Sequence, residues 1–270
     1  MGESPSEMHE ILSLLGPTDF VLDLGSRSGS FALTETRARV VRVDLDLSAG
    51  GPFVQADARC LPFRNASIAA IVANHSLEHV EGLSQCLAEM ARVLHPEGYL
   101  YVAVPDASTL SDRIYRWVAH GGGHVNAIYD GADFGQRLRE QTRLPLTGIR
   151  ILHTSFAFLN CTNGTQWPRR VYLLGGGSEW SLRWATQMFR YLDALLGSKL
   201  SVYGWAFYLG KLPSIDLVAS GNVCLRCGAA HVSEWLRALG AVRGFWIWRN
   251  FQCPSCGAKN GFQDDAKRPS

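Results

Sequence analysis

Along the first hundred residues, short apolar runs alternate with stretches in which apolar residues recur at helical spacing. FVLDL at 20–24, VVRVD at 40–44, IAAIVA at 68–73 and YLYVAV at 99–104 are too short for helices, rich in Val, Ile and Leu, and apolar on both faces. That is the pattern of parallel strands buried beneath helices. Between the last two runs, Leu83, Cys86, Leu87, Met90, Val93 and Leu94 repeat with a period near 3.6, so a helix is expected there. An entry helix is expected as well, with Ser4 as N-cap, Pro5 at the first helical position and Glu7 three residues after the cap, and with Met8, Ile11, Leu12 and Leu15 on one face before Gly16-Pro17. Strands alternating with helices predict an α/β protein with a doubly wound, Rossmann-like, mostly parallel sheet.

The rhythm breaks over residues 105–150, where Gly121-Gly122-Gly123 stands between His120 and His124 and a helix is expected through ADFGQRLREQ. Loops after a strand's carboxyl end are where open α/β sheets hold their substrates. GIRILHTSFAFLN and VYGWAFYLG read as two further strands. The helix expected between them carries Trp180, Trp184, Phe189, Tyr191, Leu192 and Leu195 on a broad apolar face. Core or dimer packing is expected of that face in preference to a membrane surface, because the polar face of the helix is not rich in Lys or Arg. KLPSIDLVASGN supplies Pro, Ser and Gly near 213–222, which divides the chain into residues 1–215 and a small module over residues 221–262.

Composition narrows the class. With 47% hydrophobic and 19% charged residues among 270, the chain is globular and long enough for one domain and an appendage. No apolar run approaches the ~20 residues a bilayer-spanning helix needs, and the N-terminus MGESPSEMHE lacks the basic then apolar order of a secretory signal. A cytoplasmic protein is expected. The net charge of +2 neither calls for nor excludes a nucleic-acid partner, although residues from Gly221 onward are mildly basic.

Candidate chemistry begins at VLDLGSRSG, where a strand meets a glycine turn that a ligand can approach closely, with a helix expected after it. Asp44 ends the next strand, where a carboxylate can accept hydrogen bonds from a ribose diol. Nucleotide dehydrogenases and methyltransferases share that arrangement, but Gly25 and Gly29 enclose Ser26, Arg27 and Ser28, which is not the spacing of a pyrophosphate fingerprint. Asp57, in QADARCLPF, ends a third strand, where it can accept from an adenine amine.

From Val21 to Pro105 the chain resembles the methyltransferase type 11 family of class I S-adenosylmethionine-dependent methyltransferases. The resemblance rests on Asp23, Gly25 and Gly29; on Asp57, Leu61, Pro62 and Phe63; on the strand ending Asn74-His75-Ser76-Leu77-Glu78-His79; and on Glu89, Arg92, Val93, Leu94, Pro96 and Gly98. It covers about a third of the chain. It implies that Asp23, Gly25, Ser26 and Arg27 hold the methionine end of S-adenosylmethionine, Asp44 with Leu45 the ribose, and Asp57 with Ala58 the adenine, and that Asn74 lies near the reacting methyl. Arg27 stands where the family has a glycine, so it either pairs with the cofactor's carboxylate or obstructs the loop.

The sulfonium is already activated, so methyl transfer needs alignment and exclusion of water, and a hydroxyl acceptor would also need a general base. His75, Glu78, His79, Asp106 and His124 fall on expected strand-end loops, and His124, with His75 behind it, is the candidate facing substrate. Four of the seven cysteines, Cys224, Cys227, Cys253 and Cys256, form two CxxC pairs, the spacing of a closed tetrahedral zinc ribbon. Zinc would supply folding energy that so small a core cannot. The expected activity is methyl transfer to a small molecule, glycan or lipid-linked metabolite. Two alternatives stay open: methylation of RNA or protein presented by the ribbon, and a non-catalytic binding module.

Overall fold

The computed structural model describes residues 7–26, 29–46, 52–119, 123–161, 177–213, 215–217 and 220–264. Ser4, Pro5, Arg27 and His120 lie outside them.

Seven strands form one sheet in the order β3-β2-β1-β4-β5-β7-β6. β1 (Phe20–Leu24), β2 (Arg39–Asp44), β3 (Phe53–Gln55), β4 (Ile68–Asn74) and β5 (Leu94–Pro105) run parallel. β7 (Val202–Leu209) inserts antiparallel between β5 and β6 (Leu146–His153). β1 and β4 lie at the centre and are buried on both faces, which is why their sequences show no alternation.

One face of the sheet is covered by α2 (Leu83–Val93) and α4 (Gly131–Thr142), with Leu22, Ile71, Leu87, Met90, Leu138 and Phe207 at its centre. Asp130 caps α4 by accepting from the N–H groups of Ala132 and Asp133. The other face is covered by α1 (His9–Leu12), whose Ile11 and Leu12 are fully buried against a cluster that includes Val21, Val72, Tyr101 and Tyr208. α3 (Leu110–Val118) follows β5.

The helix expected after Gly25 is absent. Among the described residues between β1 and β2 only a single 3-10 turn forms, Leu33–Glu35. The intervening chain is too short to lay a packed helix over the sheet and still return to Arg39.

Glu89 and Arg92 tie α2 to the loop before β4. The Arg92 guanidinium pairs with Glu89 at 2.7 Å and donates to the carbonyls of Leu61 and Phe63 at 2.9 Å, while Leu61 N–H donates to Glu89 at 2.9 Å. These motif residues build the frame.

α5 (Glu179–Leu196), the helix between β6 and β7, faces the opposite way from expectation. Its buried residues are Ser181, Leu182, Thr186 and Arg190, whereas Trp180, Trp184, Tyr191 and Leu195 are exposed. The inward face is polar because it meets a hydrogen-bonded segment, with Thr186 donating to Ser155 O.

Two small sheets follow, β8 (Asn222–Val223) with β9 (Ala230–His231), and β10 (Val242–Arg243), β11 (Asn250–Gln252) and β12 (Lys259–Gly261), with α6 (Ser233–Ala238) between them. Leu236, Phe251, Ala258 and Phe262 surround the buried Cys224 and Cys253. GFWIWRNFQC is not one strand: a 3-10 turn spans Trp246–Trp248, and both tryptophans are exposed rather than packed in a core. The module lies on the larger domain. β12 packs on α5, Ser155 Oγ donates to Cys224 O at 2.8 Å, and Asn160 Nδ2 donates to Leu225 O at 3.1 Å. No helix among the described residues is long and apolar enough to cross a membrane.

Candidate active site and cysteine centre

Parallel pairing brings the carboxyl ends of β1, β2 and β4 side by side. Gly25 N–H donates to Val43 O at 2.7 Å, and Ala56 N–H to Asp44 O at 3.0 Å. Asp23, Gly25, Asp44, Asp57 and Asn74 therefore share one edge of the sheet, as the resemblance implies. At Gly25 φ is +70°, and an added Cβ would lie 2.5 Å from Ser76 Cβ. Glycine is demanded there by the approach of the β4 loop as well as by the turn.

Asp23 is buried. Its Oδ2 accepts from Ser30 N–H at 2.9 Å, while Oδ1 has no partner in hydrogen-bond geometry. Burial pushes its carboxyl upward, opposed by the Ser30 N–H and by nearby hydroxyls and Arg42. A buried carboxylate oxygen open to another donor suits the ammonium end of S-adenosylmethionine. Asp44 is half-buried and Leu45 beside it exposed, a polar and an apolar surface for a nucleoside. The residues present thus fit the cofactor at its methionine and ribose ends.

The adenine end differs. Both oxygens of Asp57 are gripped by Arg59, with Nη2 at 2.7 Å from Oδ2 and the Arg59 N–H 2.8 Å from Oδ1, and this pairing holds the carboxyl below its ordinary range. An adenine amine would share Asp57 with Arg59. Arg27 lies outside the described residues.

A cavity of about 1020 Å³ opens where this edge meets the cysteine module. Ser30, Asn74 and His75 border it from the sheet, Tyr115 and Tyr203 from α3 and β7, and His231 and Trp235 from the module. Among the described residues lining it are Glu7 and Glu35 but no Lys or Arg. The contribution of Tyr115, Tyr203, His231 and Trp235 had no signal in the sequence, because it depends on how distant segments dock.

His75 follows β4 with φ +53° and packs edge-on to Tyr203 at 5.0 Å. Only the third of its side chain that borders the cavity is exposed, and burial pushes its imidazole down to about 4, so the ring is neutral at neutral pH. Glu78 Oε1 lies 3.9 Å away, too far for a hydrogen bond, and burial raises that carboxyl to about 8. The two face each other as neutral groups.

His124 does not face the cavity. Its side chain is only 3% exposed, Nδ1 lies 3.2 Å from Asp112 Oδ1, and its ring stacks on Tyr115. The buried Asp112 carboxylate draws it inward. His79 Nδ1 is 3.0 Å from Gly123 O, and Asp106 is buried, accepting from Ser108.

The four cysteines converge, their sulfurs all within 4.8 Å of one another. Cys224 and Cys256 are 3.5 Å apart, and Cys227 and Cys253 3.7 Å. Tetrahedral ligation with Zn–S bonds of about 2.3 Å places sulfurs ~3.8 Å apart. Both turns share one hydrogen-bond pattern, Gly228 N–H to Cys224 O and Gly257 N–H to Cys253 O. Arg226 N–H and Asn260 Nδ2 point at Cys224 Sγ, and His231 Nε2 lies 3.4 Å from Cys253 Sγ, the outer support such sulfurs need.

Comparison with known proteins agrees with this geometry. Residues 22–102 match the family described as "Methyltransferase domain". Solved structures with a similar chain path include YcgJ from Bacillus subtilis (17% identity, 75% of this chain and 94% of that one, TM-score 0.49) and a SAM-dependent methyltransferase from Archaeoglobus fulgidus (15%, 72% and 86%, 0.49). A third is geranyl diphosphate C-methyltransferase from Streptomyces coelicolor (16%, 76% and 78%, 0.49). The matched segment spans β1 to β5, and through it the chain belongs to the S-adenosylmethionine-dependent methyltransferases.

Proposed function

We propose that the protein transfers a methyl group to a small molecule, glycan or lipid-linked metabolite held between the sheet edge and the cysteine module. One observation carries this reading: the cavity beside Asn74 and His75 is enclosed by both parts of the chain and has no cationic side chain among its described lining residues. An RNA acceptor would call for Lys or Arg toward its phosphates. The aromatic and carboxylate lining suits a neutral or cationic acceptor.

S-adenosylmethionine supplies a methyl group already activated as a sulfonium. Asp23 would hold its ammonium and Asp44 its ribose, with Asn74 beside the methyl. Arg27 is assigned to the methionine carboxylate, so Arg27→Gly should weaken cofactor binding. His75, neutral and bordering the cavity, takes the role of general base for a hydroxyl acceptor, in place of His124. Zinc in the Cys224, Cys227, Cys253 and Cys256 site would fix the module that walls the cavity, its four thiolates leaving no open position for chemistry.

The test is an acceptor screen with labelled cofactor, followed by His75→Asn on the acceptor found. Turnover should fall about 10²–10⁴-fold with S-adenosylhomocysteine affinity retained, the range general-base catalysis supplies. Unchanged turnover removes His75 from the mechanism, and absence of cofactor binding by the wild type defeats the whole reading.

A further inference from the structure

α5 wears its apolar side outward. Trp180, Trp184, Met188, Tyr191 and Leu195 follow one another at intervals of three or four residues, a single stripe along the helix, and each is 38% exposed or more. The stripe does not end with the helix. Trp184 packs edge-on to Trp180 at 6.3 Å and to Trp248 at 5.3 Å, and Trp248 belongs to the loop that also exposes Phe245 and Trp246, at 74% and 77%. Two segments far apart in sequence thus build one continuous aromatic face, larger than scattered surface apolar residues produce.

Beside this face lies a shallow cavity of about 170 Å³ walled by Trp184 and Trp248 and lined by Arg183, Arg249 and Lys259, with no Asp or Glu in its lining. Among the described residues neither Arg183 nor Lys259 forms an ion pair with a carboxylate. Arg249 and Arg237 share the single carboxylate of Asp264. A cluster of cations at the margin of an exposed Trp and Tyr stripe is complementary to an anionic headgroup over a hydrocarbon boundary.

The same charges argue against a second copy. A two-fold contact places a patch against itself, and this one would bring Arg183, Arg249 and Lys259 toward their own images with no acid between them. The polar face of α5 is not itself cation-rich. Two of the three cations come from the cysteine module, so their alignment with the helix is visible only in the fold.

We propose that the outward stripe of α5 and the Phe245–Trp248 loop seat the protein on an anionic phospholipid surface, with Arg183, Arg249 and Lys259 receiving a lipid phosphate. The helix lies along the interface without crossing it. This inference stands apart from the identity of the methyl acceptor.

The test is co-sedimentation of the full-length protein with vesicles of phosphatidylcholine alone and of phosphatidylcholine with phosphatidylglycerol, with tryptophan emission read in parallel. The protein should pellet with the anionic vesicles at low salt and its emission should shift to the blue. Arg183→Glu should weaken that binding at least about fivefold, the worth of one charge at such a surface. Trp180→Ala with Trp246→Ala should abolish the emission shift, and both variants should keep wild-type affinity for S-adenosylhomocysteine, which shows that they fold. Failure to bind anionic vesicles overturns the proposal. So does binding that ignores lipid charge and both variants, or a lipid-free dimer, seen by light scattering, that Trp180→Ala with Trp246→Ala dissociates.

Discussion

Asp44 ends β2 in a half-buried position where a ribose diol can reach two acceptor oxygens. Replacement by alanine should weaken S-adenosylhomocysteine binding by about 1.5–3 kcal/mol, the worth of charge-assisted hydrogen bonds, and calorimetry would measure it. Asp57→Ala should cost less, since Arg59 already occupies its carboxylate. Glu78 allows a second prediction. Burial raises its carboxyl from 4.5 to about 8, so the folded protein keeps the proton that the unfolded chain releases. Its contribution to stability is therefore full below pH 4.5 and is lost as pH rises toward 8. Glu78→Gln, which keeps the neutral shape, should flatten that loss, so that its melting temperature exceeds that of wild type most clearly near pH 8.

At the scale of elements, the Gly25 turn is the tightest constraint on the site. Gly25→Ala combines a positive φ with a Cβ 2.5 Å from that of Ser76, and should destabilise the fold by about 1–3 kcal/mol in denaturant titration. Adding Ser76→Gly should return the steric part and leave the backbone part, a partition that a double-mutant cycle would resolve. The strands around this turn were legible in the sequence because β1, β4 and β5 are buried on both faces, so their composition alone marks them. α2 was legible from its period, and Glu89 and Arg92 from a motif that proves to be a tie between helix and loop. The absent helix after Gly25 was not, since a glycine turn after a strand announces a helix only if enough chain follows. Nor was the orientation of α5. Periodicity reveals that a helix has an apolar face but not whether that face turns inward, and here Ser155 draws the polar face in. His124 failed as a substrate-facing residue for a similar reason, because its partner Asp112 is twelve residues away on α3.

For the molecule as a whole, the decisive relation is between the cysteine module and the sheet, which the CxxC spacing could not reveal. The spacing identifies a ribbon, but it is silent on the docking of Cys224 O against Ser155 and of Leu225 O against Asn160, both buried. These contacts make the module a wall of the cavity, with His231 and Trp235 facing it, while the cofactor edge is built by β1, β2 and β4 alone. The two functions should therefore separate. Metal analysis should return about one zinc per chain, and a chelator should lower the melting temperature, since ligation holds a core as small as Leu236, Phe251 and Phe262. A chain ending at residue 215 should still bind S-adenosylhomocysteine, with lower stability because Ser155, Asn160 and Thr186 lose their cover. It should not methylate the acceptor, because half of the enclosing surface is gone. Full turnover by the shortened chain would show that the module does not bound the reacting cavity, and loss of cofactor binding would show that the sheet edge cannot form without it.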